Sequence, residues 1–405
     1  MRKWNALVSV PLITSMLVAA PTALAASNNR QVNTVVNGHN LTASLNPMIM
    51  NGSTWVRVRA FADCLGASLS YSNGVIDVMK GATTVSFTIG SNQATVNGRA
   101  SLLPKKVWVT AGSAYVPLRF LANQYGYDLQ WDGANEQSTV LPSTQLKAEW
   151  AQITQILQKE QTSMKNLNSF GLHLTVEANI ANGMVPSEQL KLSGALDGTY
   201  NKQPLAVSAT GSLTISGAPV SIAIQAYFSG NKLYFLNPLN KQWHYMTIDF
   251  ATIEKMIAAN TSQNATNEQN AMNTMLPLMS LTDTQDSWLI SMNVNSMAMK
   301  SMLASAAPVH QMPTAASALD GLNFMMHVQL TIKKATDVLT GISMDLSAAP
   351  NPEEKLGIMI QGTLDQFNSA PTVTVPADVL KNATMISSPF SMMGAGTMIP
   401  AQKTN

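Results

Sequence analysis

Residues 55–71 read Trp55-Val56-Arg57-Val58-Arg59-Ala60-Phe61-Ala62-Asp63-Cys64-Leu65-Gly66-Ala67-Ser68-Leu69-Ser70-Tyr71. Residues 115–131 read Tyr115-Val116-Pro117-Leu118-Arg119-Phe120-Leu121-Ala122-Asn123-Gln124-Tyr125-Gly126-Tyr127-Asp128-Leu129-Gln130-Trp131. The stretches lie 60 residues apart without a gap, and Val56/Val116, Arg59/Arg119, Ala62/Ala122, Gly66/Gly126 and Leu69/Leu129 are identical. Upstream, Val36-Asn37-Gly38 answers Val96-Asn97-Gly98 at the same offset. One register kept over two separated segments reads as an internal duplication. Asn-Gly suits the positive φ values of a tight hairpin turn, a short strand presents Trp55 or Tyr115, and a brief helix runs to Gly66 or Gly126, which caps it. Alternating residues then end in Tyr71 or Trp131, before the turns Ser72-Asn73-Gly74 and Asp132-Gly133. Each copy is expected to be a hairpin, a short helix and another hairpin.

Tyr115-Val116-Pro117-Leu118-Arg119, with Gly126 and Trp131, resembles the copper amine oxidase N-terminal-like domain of secreted Gram-positive proteins. The first copy has Arg57 where that pattern has proline. The resemblance covers residues 32–141, within an expected domain at 27–142. It implies a stalk used for attachment or spacing, without copper ligands or a redox cofactor tyrosine.

The chain opens with Arg2 and Lys3, an apolar run over residues 6–20 and the small-residue pattern Ala23-Leu24-Ala25-Ala26. That is the pattern of a secretory signal peptide over 1–26, with the mature chain secreted and associated with the cell wall. No later run is apolar and long enough for a transmembrane helix. A lone Cys64 offers no internal disulfide. The formal charge of +2 falls to about zero without Arg2 and Lys3, which argues against nucleic acid as a partner.

From residue 144 to 168 the spacing of Leu146, Trp150, Ile153, Ile156 and Leu157 predicts a helix. Alternation then predicts strands over 172–180, 189–200, 205–215, 220–228 and 232–246, with a hairpin turn at Ser229-Gly230-Asn231. Helix formers return over 248–307, and strand patterns resume at 323–335, 341–347 and 355–365. Val373-Thr374-Val375-Pro376 is expected to close this domain, 143–382, before a disordered tail over 383–405. This order of helix, strand meander, helical insertion and further strands resembles the LolA-like lipoprotein family. The resemblance implies a curved antiparallel half-barrel whose open side is covered by helices and which commonly holds an acyl chain. The expected class is α+β: a duplicated small hairpin-and-helix module, then a half-barrel with a helical lid.

No motif supports an enzyme. His39, His173, His244, His310 and His327 stand singly, no nucleophile elbow occurs, and the S-x-x-K spacing at Ser229 and Lys232 falls in an expected turn. No cofactor and no metal site is expected. Methionine is the anomaly, with 16 of 25 from Met272 onward. Thioethers with His327 beside Met326 would suit copper(I), but Met equally fills cores and lines adaptable apolar grooves. The expected lid over an apolar ligand comprises Ile253, Met256, Ile257, Met272, Met275, Met279, Met297 and Met302. Trp55, Tyr115, Tyr71 and Trp131 sit at equivalent places in the two repeats, which reads first as core packing; a module surface of Trp55, Tyr115 and Trp131 that stacks on cell-wall glycan is the competing reading. Two functions lead: a non-catalytic envelope protein binding lipid or another apolar ligand, and a structural or adhesive protein binding wall glycan or an envelope protein. An accessory factor in wall or copper metabolism, suggested mostly by the family name, ranks last.

Overall fold

The computed structural model describes residues 32–181, 189–216, 221–248, 272–296, 298–299, 323–351 and 354–386. The expected signal peptide lies outside them. Strands β1 (Asn33–Val36) and β2 (His39–Asn40) are joined by Asn37-Gly38, both at positive φ. A helical turn α1 (Thr42–Leu45) leads to the hairpin β3 (Met48–Met50) and β4 (Ser53–Arg57), which runs straight into α2 (Val58–Cys64). Val58, Phe61, Ala62 and Leu65 are buried at the i, i+3, i+4, i+7 spacing that gives a helix one apolar stripe. Gly66, at φ 62°, ends the helix, and its N–H donates to the Asp63 carbonyl. The chain continues through β5 (Ser68–Ser72), β6 (Val75–Lys80), β7 (Thr83–Thr88), β8 (Gln93–Val96) and β9 (Arg99–Leu102). The hairpin β10 (Trp108–Thr110) and β11 (Ser113–Pro117) then enters α3 (Leu118–Gln124), followed by β12 (Tyr127–Asp132) and β13 (Gln137–Pro142).

Four pairs of elements, β1 and β8, β3 and β10, β4 and β11, α2 and α3, begin and end 60 residues apart. β4 and β11 pair antiparallel about Val56 and Val116, so two positions at that offset face each other across the centre of the module. Trp108 stacks on Tyr115 at 5.4 Å and tilts against Trp55 at 4.7 Å. Trp55 and Tyr115 are thereby 0% and 1% exposed, which corrects their reading as a module surface: they are core. The reason is that both lie in the inner strands of one short sheet, flanked by the β3 and β10 hairpin arms.

Ser143, whose hydroxyl accepts the Leu146 N–H at 3.2 Å, caps the long helix α4 (Thr144–Lys165). Next come β14 (Ser169–Ala181), β15 (Gln189–Lys202), β16 (Leu205–Ile215), β17 (Ser221–Ser229), β18 (Lys232–Leu236) and β19 (Trp243–Thr247). After a 3₁₀ turn at Leu276–Leu278 follow β20 (Met279–Asp283), β21 (Ser287–Asn295), β22 (Asn323–Lys333), β23 (Val338–Asn351) and β24 (Glu354–Asp365). The helix α5 (Ala377–Asn382) and β25 (Thr384–Met385) complete the described chain. All twelve strands from β14 to β25 form one sheet, in the order β20-β21-β22-β23-β24-β14-β15-β16-β17-β18-β19-β25. Its pairs are antiparallel except β19 with β25, and it curls into a half-barrel. Among the described residues the protein is thus mostly β-sheet with few helices.

Two expectations change. Residues 279–295, read as helical, are the hairpin β20–β21: Met279, Leu281, Ile290, Met292 and Val294 alternate with polar residues, and this period of two outweighs the helix propensity of Met and Leu. The chain beyond residue 382, read as a tail, adds β25 to the sheet edge. Val373-Thr374-Val375-Pro376 runs as a loop, held where the Val373 N–H donates to Asn201 Oδ1 at 2.6 Å.

The two halves are joined closely. The Lys80 ammonium donates to the carbonyls of Leu65, at 2.8 Å, and Pro277. Asn295 Nδ2 donates to the Asp63 carbonyl at 3.1 Å. A Cβ at Gly66 would lie 2.8 Å from the Asn293 carbonyl oxygen, so the glycine lets β21 approach the end of α2. Trp150 of α4 packs edge-on against Tyr127 at 6.4 Å.

Candidate functional site: the apolar face of the twelve-stranded sheet

Successive side chains of a strand point to opposite faces, so the two faces follow from register. On β14, Leu174 and Val176 lie on one face, Thr175 on the other. From Leu174 the pairing runs to Leu196, Gly211 and Ile224 in one direction, and to Gly362, Ile342, Leu330, Ile290 and Leu281 in the other. From Val176 it runs to Gly194, Leu213 and Ile222, and to Ile360, Met344, Val328, Met292 and Met279. Both rows cross the sheet from β20 to β17 without a polar side chain. The row from Thr175 on the opposite face reads Ala195, Ser212 and Ala223 one way, and Gln361, Ser343, Gln329, Ser291 and Ser280 the other.

Glycines shape this face. A Cβ at Gly362 would lie 2.7 Å from Leu174 Cδ2 and 2.8 Å from Ile342 Cγ2, and one at Gly194 would lie 2.9 Å from Leu213 Cδ1. A Cβ at Gly211 would fall on the carbonyl oxygen of Ala195. Interior glycines of this kind mark where a sheet bends and neighbours close over the gap. The alternation of 189–215 could have disclosed them, because Gly194 and Gly211 occupy apolar-face positions.

α4 covers one end of the face. Its Ile153 and Ile156 are buried against Met279, Ile290 and Ile332, and Glu149 accepts the Leu281 N–H at 3.0 Å. Elsewhere the same face leaves Ile180, Leu190 and Ile224 at 40%, 43% and 37% exposure.

Of the residues expected to form a lid, Met272 and Met275 pack on the core beneath α4, and Met279 is buried within β20 as part of the sheet itself. Ile253, Met256, Ile257, Met297 and Met302 lie outside the described residues. Met326 and His327, adjacent in β22, point to opposite faces, and His327 Nδ1 lies 2.6 Å from Asn293 Oδ1, so the pair is not a copper site. Among the described residues no cluster of three His, Cys, Asp or Glu is placed to hold a metal. Trp131 is 44% exposed. Cys64 donates to the Ala60 carbonyl at 3.0 Å, and burial pushes its thiol up to about 12. Among the described residues no helix is long and apolar enough to cross a membrane.

Over residues 152–384 the chain matches the family model described as a family of unknown function, DUF6612, and it belongs to that family. Residues 35–140 match the copper amine oxidase N-terminal domain. Similar solved structures include LprF from Mycobacterium bovis, at 13% identity and a TM-score of 0.24, covering 55% of this chain and 96% of that one. A LolA superfamily protein from Nitrosomonas europaea is 8% identical with a TM-score of 0.20, over 56% of this chain and 96% of its own. A β-barrel-like protein of the DUF1849 domain from Brucella abortus is 5% identical with a TM-score of 0.18, over 49% of this chain and 99% of its own. With scores this low, the fold assignment rests on the strand pairing of this chain. No curated protein matches it.

Proposed function

We propose that the protein is a secreted, non-catalytic envelope protein whose half-barrel binds an apolar molecule, an acyl lipid, against the inner rows of its sheet. The observation that carries this reading is the pair of rows through Leu174 and Val176, apolar or glycine at every strand from β20 to β17, while the row through Thr175 on the opposite face is polar or alanine. Binding is by enclosure against a concave apolar surface, with no covalent step. The N-terminal module serves as the attachment or spacing unit. Its origin by duplication is supported by the four element pairs 60 residues apart. Export is supported by Arg2, Lys3 and the apolar run that follows them.

Titration with a fluorescent polyene fatty acid tests the site. The full chain is expected to bind it saturably, and Ile224→Asp, which places a carboxylate on the apolar face, to weaken binding roughly tenfold or more. Ser212→Asp, on the opposite face, is the control and leaves binding unchanged. Equal effects of the two substitutions, or no saturable binding, would contradict the assignment.

A further inference from the structure

The N-terminal module carries two grooves related by the same offset of 60 residues as its strands. The first, of ≈ 500 Å³, has Arg119, Leu129 and Trp131 on one wall and Gly52 and Ser53, at the β3–β4 turn, on the other. The second, of ≈ 570 Å³, has Arg59, Leu69 and Tyr71 opposite Gly112 and Ser113 of the β10–β11 turn. Each residue of one set is the counterpart of one in the other. The pairing of β4 with β11 explains how: it lays the hairpin of each half beside the helix of the other, so both grooves draw on both halves.

Trp55, Phe61, Phe87, Tyr115 and Tyr127 are buried at 1% exposure or less, whereas Tyr71 and Trp131 are 63% and 44% exposed. A single exposed ring is ordinary. Here the ring recurs at the same place in both grooves, each time across from a glycine and a serine and beside an arginine. Arg119 is held against its wall, its Nη1 donating to the Leu129 carbonyl at 3.0 Å. The charge of each groove is small: Arg119 alone lines the first, and Asp63 offsets part of Arg57 and Arg59 in the second. Such a lining suits a neutral, hydroxyl-rich ligand better than a polyanion. Phe120 also lines the first groove but packs against the core, so each groove presents one exposed ring with flanking hydrogen-bond donors. That matches a pyranose, whose C–H face packs on the aromatic while its hydroxyls meet guanidinium and serine. Proline-rich peptides instead dock in grooves lined by several aromatics.

We propose that these grooves are paired saccharide-binding sites that grip one polysaccharide strand at two points. The inference stands apart from the lipid reading of the half-barrel. Two linked sites raise the affinity for a polymer well above that for a short oligosaccharide.

Retention of the full chain on chitin, cellulose, xylan and peptidoglycan, followed by calorimetry with the hexasaccharide of whichever polymer retains it, tests this. The expected result is retention on at least one polymer and two hexasaccharides per chain. Tyr71→Ala and Trp131→Ala should each remove one site and weaken polymer binding at least tenfold, about 1.4 kcal/mol, with Trp131→Phe retaining its site. Both side chains are exposed, so an unchanged thermal transition certifies the folded variants. No retention on any of the four polymers, one hexasaccharide per chain, indifference to both substitutions, or binding of a polyproline peptide instead of sugar would overturn the proposal.

Discussion

Lys80 ends β6 with its ammonium inside the molecule, between carbonyls supplied by the two halves of the chain. Burial lowers its pKa to about 7, against a smaller opposing pull from Glu149. Unfolding returns it to its ordinary value of 10.5, so between about pH 7 and 10.5 the unfolded state binds more protons. The contribution of Lys80 to stability is therefore full above pH 10.5 and is lost as pH falls toward 7. Urea denaturation of Lys80→Met at pH 7 and pH 10 should show the wild type gaining stability relative to the variant at the higher pH; parallel values at both would refute the assignment. Gly211 gives a second residue-scale expectation. A Cβ there would fall on the Ala195 carbonyl, and Gly211→Val should cost about 3 kcal/mol, read from the same denaturation, whereas a cost under about 0.5 kcal/mol would mean the bend is not tight. Neither role is visible in the sequence. Lys80 reads as an ordinary strand-end cation, and the matched aromatic pairs Trp55/Tyr115 and Tyr71/Trp131 look alike until packing buries the first pair and leaves the second outside.

Elements were legible where alternation and turn chemistry agreed. β16 occupies residues 205–215 as its alternation indicates, and Gly230, at φ 64°, turns β17 into β18. They were obscured where composition contradicted pattern. β20 and β21 are rich in Met, Leu, Ser and Asn, with Thr282, Trp288, Ile290 and Val294 as their strand-favouring residues, and their pairing is sustained by the apolar face they complete. α4 was legible because Leu146, Trp150, Ile153, Ile156 and Leu157 keep the helical spacing of an apolar stripe. That stripe anchors the β20 end of the sheet, so Ile153→Ala should destabilise the protein by about 2–4 kcal/mol, measured by thermal or urea unfolding. A loss under about 1 kcal/mol would show α4 to be an appendage on the sheet.

At the scale of the whole molecule, the two runs of strands are joined by a contact no local pattern announces. β14 and β24, the outermost long strands in sequence, pair over eleven positions and bring the two runs of strands together into one apolar surface. Long-range pairing of this kind depends on register between segments far apart in the chain, which period-two alternation does not encode. The amphipathic character of most strands was readable, but β20, β21 and β25 were not, nor was the order of strands in the sheet. The close joining of the halves through Lys80, Asn295 and Trp150 likewise belongs to the folded molecule, although the short segment between β13 and α4 leaves little room for independent motion.

Native mass spectrometry of the full chain, purified after export and compared before and after organic extraction, tests most directly whether the apolar face holds a ligand. The account predicts an additional mass of an acyl lipid that extraction removes and incubation with phosphatidylglycerol vesicles restores. A bare chain that stays bare after the same incubation would contradict it.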